Sequence, residues 1–178
     1  MNASIGAMQR RHFLALQVGA LSGMAMANTP LDKIQSLSDA LRWLDQLDQA
    51  RSVSSSTDWT MLAVFEHLAQ SIEFSLDGFP EPKSALFQQT AGTLAFSFFK
   101  WRGHMSHGLT EPIPGAPALT QQEAWKPGAL RLRAAIARFQ SHTGPLQPHF
   151  AYGALSRTDY ALAHTFHIAN HQDAIVVA

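Results

Sequence analysis

Apolar residues recur every three or four positions along most of this chain, which is the spacing of one face of an α-helix. The first such stripe consists of Leu31, Ile34, Leu37, Leu41, Leu44 and Leu47. The same periodicity predicts four further helical segments, over residues 59–76, 84–101, 121–140 and 156–176. No stretch shows the alternation of apolar and polar residues that is typical of a half-buried strand. We therefore expect an all-α fold, a four-helix bundle with one additional helix.

Turn-forming residues separate these segments. The serine-rich stretch RSVSSSTD follows the first helix, and Thr57 or Asp58 can cap the second. Three glycines and three prolines fall between residues 103 and 117, which predicts a long Gly/Pro loop over residues 103–119. Loops of this length in small domains are commonly lids or binding loops. Ser156, with Asp159 three residues later, predicts the start of the last helix.

The composition limits what the chain can bind. It has 46% hydrophobic and 15% charged residues and no net formal charge, which is typical of a single globular domain. Because the chain has no run of Lys or Arg, we expect no nucleic-acid partner. It has no cysteine, so thiolate nucleophiles and Cys-ligated metal are excluded. Any metal site must use His, Asp, Glu or backbone oxygen.

The first 27 residues have the pattern of an export signal. Arg10 and Arg11 precede an apolar run from Phe13 to Met26, and residues 25–27 fit an A-x-A cleavage site. The run is too short to span a membrane, so we expect no stable span after cleavage. The arginine pair is similar to the twin-arginine motif, which predicts a periplasmic or secreted protein. The alternative is an ordinary N-terminal helix with two surface arginines. On the export interpretation, residues 28–178 form the mature domain.

Three histidines lie on one face of the last predicted helix. His164, His167 and His171 share that face with Tyr160 and other apolar residues. Buried imidazoles need partners for their nitrogens, and a metal ion satisfies several at once. His167 and His171, four residues apart, can converge on one ion from adjacent turns. The best third ligand is His67, on the apolar side of the second helix. The alternative is that all three are packed core residues.

The sequence supports a role in the site less strongly for the other polar residues. His164 is either a further ligand, a hydrogen-bond partner of the ligands or a packed residue at the site edge. His104 and His107, in the long loop, either act as acid/base groups over the metal or are solvated. Glu73, like Glu66, is most simply a solvent-facing charge, although Glu73 can line the mouth of the bundle.

Several motifs resemble those of one known superfamily. FEHLAQSIEFSLDGFP on the second helix, HIANH on the last, and FQQTAGTLAFSFFKWRG and PIPGAP between them are similar to the DinB/YfiT-like superfamily of metal-binding four-helix bundles. Within it, the chain most resembles the branch catalogued as domain of unknown function 1569. The resemblance covers residues 30–176. It implies a DinB-like bundle with a divalent metal on His67, His167 and His171, and thiol-dependent transferases and isomerases are among the known members.

Two classes of function follow. In the first, the protein is an exported metal-dependent enzyme, a transferase, isomerase or hydrolase, whose metal activates water or a thiol and whose substrate is a small molecule. In the second, it is a non-catalytic exported bundle that binds metal or a ligand. Three histidine ligands leave positions open, which is typical of catalytic sites. Zinc and nickel are the metals we expect, and a homodimer through helix faces is the oligomer we expect.

Overall fold

The computed structural model describes residue 1 and residues 33–178, and this part of the chain is mainly helical. The predicted export signal and the first residues of the first predicted helix lie outside the described residues. The elements, in chain order, are α1 (Leu37–Gln49), β1 (Val53–Ser55), α2 (Met61–Asp77), α3 (Ala85–Phe87), a π-helical turn (Gln88–Gly92), α4 (Thr93–Arg102), α5 (Lys126–Ser141), α6 (Arg157–Gln172) and β2 (Ile175–Val177).

Helix α2 is the centre of the hydrophobic core. Thr60 caps it by accepting a hydrogen bond from the Ala63 N–H, and almost every residue from Met61 to Leu76 is buried. It packs against α5 and α6, while α1 packs against α5 and α6 as well. Burial on nearly all sides explains why the apolar residues of α2 extend beyond a single stripe. The largest fully buried apolar side chains include Trp43, Leu44, Phe65, Leu68, Leu132, Ile136 and Ile168.

The structure corrects the predicted ends of the first and last helices. Helix α1 begins at Leu37 because Ser36 Oγ accepts a hydrogen bond from the Asp39 N–H and caps it. Ile34 lies before this cap, yet it is buried in the core. Helix α6 begins as predicted, with Ser156 as its cap. It ends at Gln172 rather than at Val176, because the following residues leave the helix to form β2.

A small antiparallel sheet corrects the all-α prediction to a mainly helical fold. β1 pairs with β2, and Val53 lies opposite Val177. β1 arises from the serine-rich stretch that we predicted to be a linker. Each strand has three residues, which is too short for an alternating pattern to be recognised. The β-branched side chains of β2 nevertheless favour the extended conformation.

The third predicted helix is interrupted by the π-helical turn. Gly92 lies at the end of this turn, and a Cβ atom added there would be 1.9 Å from the carbonyl oxygen of Ala151. The close approach therefore requires glycine at this position. Ser84 caps the start of the segment, and α4 ends at Gly103, which has a φ of 72° and so favours glycine.

Helix α5 begins later than the sequence suggested. Its first residue is Lys126 rather than Gln121, with Pro127 in the first turn, where proline is well tolerated. Residues 103–125 consequently form neither helix nor strand. Among the described residues, no helix has the length and apolar character needed to cross a membrane.

Candidate metal centre

Three histidines from two helices meet in the interior. His67 lies in α2, and His167 and His171 lie one turn apart on α6. The Nε2 atoms of His67 and His167 are 3.0 Å apart, and one nitrogen of each ring lies within 4.8 Å of those of the other two. The ring centroids are 4.8, 5.1 and 5.2 Å apart. The structure thus brings together the three residues that the sequence selected, in a group that can hold a metal ion.

The spacing of the nitrogens in this cluster fits a metal ion. In a tetrahedral zinc site with bonds of about 2.0–2.1 Å, the ligand nitrogens are about 3.3–3.4 Å from one another. The nitrogen separations in the cluster, from 3.0 to at most 4.8 Å, bracket this value. His171 Nε2 and His67 Nδ1 are buried and have no hydrogen-bond partner within the described part of the chain. A buried imidazole nitrogen without a partner is destabilising, and an ion bound at His171 Nε2 removes that cost.

Burial keeps the three imidazoles neutral. It lowers the pKa of His67 to about 4 and that of His171 to about 3, and it holds the pKa of His167 well below its usual value. The neighbouring imidazoles lower these pKa values further by charge repulsion. Because only the neutral ring offers a lone pair to a metal, the cluster is in its metal-binding form at neutral pH.

Two neighbours orient the rings of the clustered histidines. Ser71 Oγ lies 3.1 Å from Nδ1 of His167, and it comes from α2, one turn after His67. A hydrogen bond at Nδ1 fixes the ring orientation and leaves Nε2 to bind the ion. The ring of Trp59 packs edge-on against His67, with centroids 5.1 Å apart. The two contacts therefore come from α2 and from the residues just before it.

His164 lies one turn before His167 but does not join the cluster. Its Nε2 is 3.2 Å from Ser75 Oγ, and Ser75 uses its own hydroxyl hydrogen to bond Ile72 O at 2.6 Å. His164 therefore donates from Nε2 to Ser75. Its ring stacks on Tyr160, and burial lowers its pKa to about 3. His164 is thus a buried, partnered residue next to the site.

His107 is the loop histidine that reaches the cluster. Its ring centroid is 4.9 Å from that of His167 and 5.7 Å from that of His171. Its Nδ1 donates to the carbonyl of Gly108 at 2.8 Å, which leaves Nε2 with a free lone pair. Asn170, the residue before His171, donates to His107 O at 3.4 Å. His107 is thus tied to the helix that carries two of the three clustered histidines.

The far end of the same loop is tied to α2. Gln70 Nε2 donates to Pro117 O at 3.0 Å, and Glu66 accepts hydrogen bonds from the Thr120 N–H and hydroxyl at 2.7 and 3.1 Å. Glu66 precedes His67 in sequence. The two side chains that hold this end of the loop therefore lie within one helical turn of His67.

The structure does not bring His104 or Glu73 to the cluster. His104 is exposed just after α4, where it bonds Arg102 through both ring nitrogens. Glu73 forms a two-point ion pair with Arg131 of α5, at 2.9 and 2.7 Å. Glu66 and Glu73 are both half-buried and keep partial exposure to solvent, and both carboxylates have fixed partners on the protein.

A cavity of about 400 Å³ adjoins the histidine cluster. His67, Ser71 and His167 lie in its wall, and His107 faces it from the loop. Apolar side chains form much of the remaining wall. They are Ala95, Phe99, Met105, Ile113, Phe150 and Ala163. Its size falls in the range of small-molecule sites. A molecule in the cavity would therefore contact two of the three clustered histidines directly.

Comparison with known proteins places the chain in a family. Residues 27–177 match the family model described as "Protein of unknown function (DUF1569)". The chain belongs to the DUF1569 family. No curated protein and no solved structure matches it significantly.

Ser71 and Asn170 are the residues of this DUF1569 site that the sequence analysis missed. Ser71 follows His67 by four residues, so helical periodicity already places it on the same face. Asn170 lies on the polar side of α6, and its partner is a loop carbonyl. No sequence pattern gives the path of that loop.

Proposed function

We propose that this DUF1569 protein is an exported metal-dependent enzyme of the DinB-like type, with His67, His167 and His171 as the ligands of one divalent ion. The observation that carries the proposal is the buried Nε2 of His171, which has no partner among the described residues, beside two histidines that border a cavity. Imidazole ligands suit zinc and nickel equally, and we propose one of these two.

The residues around the cluster have separate roles in this proposal. A divalent ion supplies Lewis-acid chemistry, which activates a water or thiol nucleophile for transfer, isomerisation or hydrolysis. Ser71 holds the His167 ring through Nδ1. His107 offers its Nε2 lone pair from the loop, where it can accept a hydrogen bond from a molecule in the cavity.

The helical packing supports the DinB-like part of the proposal. Helices α1 and α2 each contact both α5 and α6, and we propose that these four helices form the bundle, with α3, the π-helical turn and α4 as the additional helical segment. In bundles, metal sites are built from side chains on facing helices. The histidine cluster follows this arrangement, because it joins α2 to α6. The exposed helix faces leave room for the homodimer that we propose.

The proposal that the protein is exported rests on its N-terminal sequence. The arginine pair, the apolar run and the A-x-A site lie in residues 10–27, and the family match begins at residue 27, next to the proposed cleavage site. A reporter that is active only after twin-arginine transport, fused behind residues 1–27, should become active outside the cytoplasm. A reporter that stays inside the cell, or that moves equally well with both arginines changed to lysine, would contradict this part.

Cobalt substitution tests the metal site. Cobalt(II) bound by three imidazoles should give visible absorption bands, and azide should shift them because a coordination position is open. The variant His171→Ala should lose most of the absorption, whereas His104→Ala should keep it. Bands that do not respond to azide would indicate a closed site and favour the non-catalytic binding protein. The absence of any bands would contradict the metal site.

A further inference from the structure

The side chains that line the cavity beside the cluster determine the chemical character, as well as the size, of a molecule that can bind there. Its aromatic side chains come from separate parts of the chain: Phe99 from α4, and Phe150 and Tyr152 from the turn before α6. Met105 and Ile113, which the loop contributes, are buried. Apolar surface of this kind binds apolar molecules because contact removes both surfaces from water.

Fixed charge is nearly absent from the cavity. Among the described residues that line it, the Lys and Asp/Glu side chains are Lys83 and Glu111. They have opposite signs and both are exposed, so they belong to the rim and leave no net charge. Burial also keeps His149 and His164 neutral, with pKa values lowered to about 3. A charge on the part of a bound molecule that lies away from the histidines would lose hydration without gaining a counter-charge.

One group of polar side chains in the cavity wall lies beside the cluster. Ser71, His67 and His167 lie together at this place, whereas Phe99 and Ile113 offer only carbon atoms. A molecule that fits both parts needs one polar group for the histidines and an apolar remainder.

From these features we infer the substrate class of the site: a small molecule with an uncharged, aromatic or similarly apolar body and a polar group that reaches the histidine cluster. This inference rests on the proposed metal-dependent function. Phe99 is a specificity-determining residue in it, because it contacts the apolar body. Phe98, the adjacent residue, is 48% exposed and does not line the cavity, so it provides a matched control.

Two hydroxamic acids with the same metal-binding group test the inference. Acetohydroxamic acid has a methyl body and benzohydroxamic acid has a phenyl body, and each is titrated by calorimetry into the zinc-loaded protein. We expect benzohydroxamic acid to bind at least about tenfold more tightly, because the cavity removes its ring from water. Phe99→Ala should remove most of this preference, because it weakens the binding of benzohydroxamic acid much more than that of acetohydroxamic acid, and circular dichroism shows whether the variant is folded. Phe98→Ala should keep the preference.

The possible failures point to different errors. If the protein contains one zinc and binds both acids equally, or if Phe98→Ala and Phe99→Ala have the same effect, the apolar substrate class is wrong and the metal site stands. If the protein takes up no zinc and binds neither acid, the proposed function is wrong and the inference falls with it. If Phe99→Ala does not fold, Phe99→Leu is the alternative, because leucine keeps most of the side-chain volume but removes the ring. This variant should weaken the binding of benzohydroxamic acid only.

Discussion

Ser71 illustrates how a single hydroxyl can set the properties of the cluster. Its Oγ lies 3.1 Å from Nδ1 of His167, and the partners of ligand histidines commonly change metal affinity by about 10–100-fold. We predict that Ser71→Ala weakens zinc binding by about this factor, as measured by competition with a chromogenic chelator. The free energy of unfolding of the metal-free protein should fall less than in Ser75→Ala, because the Ser71–His167 bond is only partly buried. Unchanged zinc affinity would mean that Ser71 does not orient the ligand.

Ser75, one turn further along α2, provides the contrasting case. It accepts the Nε2–H of His164 at 3.2 Å, and both side chains are buried. Ser75→Ala leaves that N–H without a partner, so we predict a loss of about 1–3 kcal/mol in the free energy of unfolding. Zinc affinity should stay at the wild-type level. Urea denaturation measures the loss, and the exposed Ser97→Ala on α4 should show none.

At the scale of elements, the histidines on helices were predictable and the loop histidines were not. Helical periodicity alone places His67, His167 and His171 on inward faces, because 3.6 residues per turn fixes the face. The same reasoning could not separate His107 from His104. Their different positions depend on tertiary contacts, such as that of Asn170 with the loop backbone.

The short strands and the helix ends were missed for a similar reason. β1 has little sequence signal of its own, and it forms because β2 is available to pair with it. The start of α5 depended on whether Pro127 would break a longer helix or open a new one, and both outcomes agree with the residue preferences. Periodicity therefore gives the existence of the helices more reliably than their ends.

For Gly92 we predict that alanine destabilises the protein, which is the opposite of its usual effect at a helical position. Its φ of −63° is helical, so replacing it with alanine would normally stabilise the protein by about 0.4–1 kcal/mol. The Ala151 carbonyl oxygen, 1.9 Å from the added Cβ, reverses this expectation. We predict that Gly92→Ala lowers the free energy of unfolding by about 1–3 kcal/mol, as overpacking does.

Thermal denaturation of Gly92→Ala beside Ala91→Ser, a change at an exposed neighbouring position, checks this prediction. The serine variant should melt close to the wild type. If Gly92→Ala raised the melting temperature, the close contact between the π-helical turn and the turn at Ala151 would be incorrect.

At the scale of the whole molecule, buried neutral histidines make stability depend on pH. Burial lowers the pKa of His149 and His164 to about 3, whereas an unfolded histidine titrates near about 6.5. Below that pH the unfolded chain binds protons that the folded protein does not. The free energy of unfolding of the metal-free protein should therefore fall as the pH falls from about 6.5 towards 3, by up to about 1.4 kcal/mol per pH unit for each group.

His149→Asn tests the contribution of one group. His149 Nδ1 accepts hydrogen bonds from the N–H groups of Ala151 and Tyr152, and these bonds fix the turn before the last helix. Asparagine can supply the same acceptor but does not titrate. The variant, measured in the presence of a chelator, should be less stable at pH 7.5 because it loses the stacking of the ring on Tyr152, but it should lose less stability than the wild type between pH 7.5 and pH 5. An equal loss in both proteins would contradict the assignment.

The central claim is that the three clustered histidines bind one divalent metal ion. Elemental analysis by plasma mass spectrometry tests it most directly, on protein purified without a His tag and compared with the double variant His67→Ala, His167→Ala. We predict about one equivalent of a transition metal in the wild type, zinc or nickel, and none in the variant. No metal in either protein, even after incubation with zinc, nickel, iron and manganese, would contradict the claim and leave the three histidines as packed core residues.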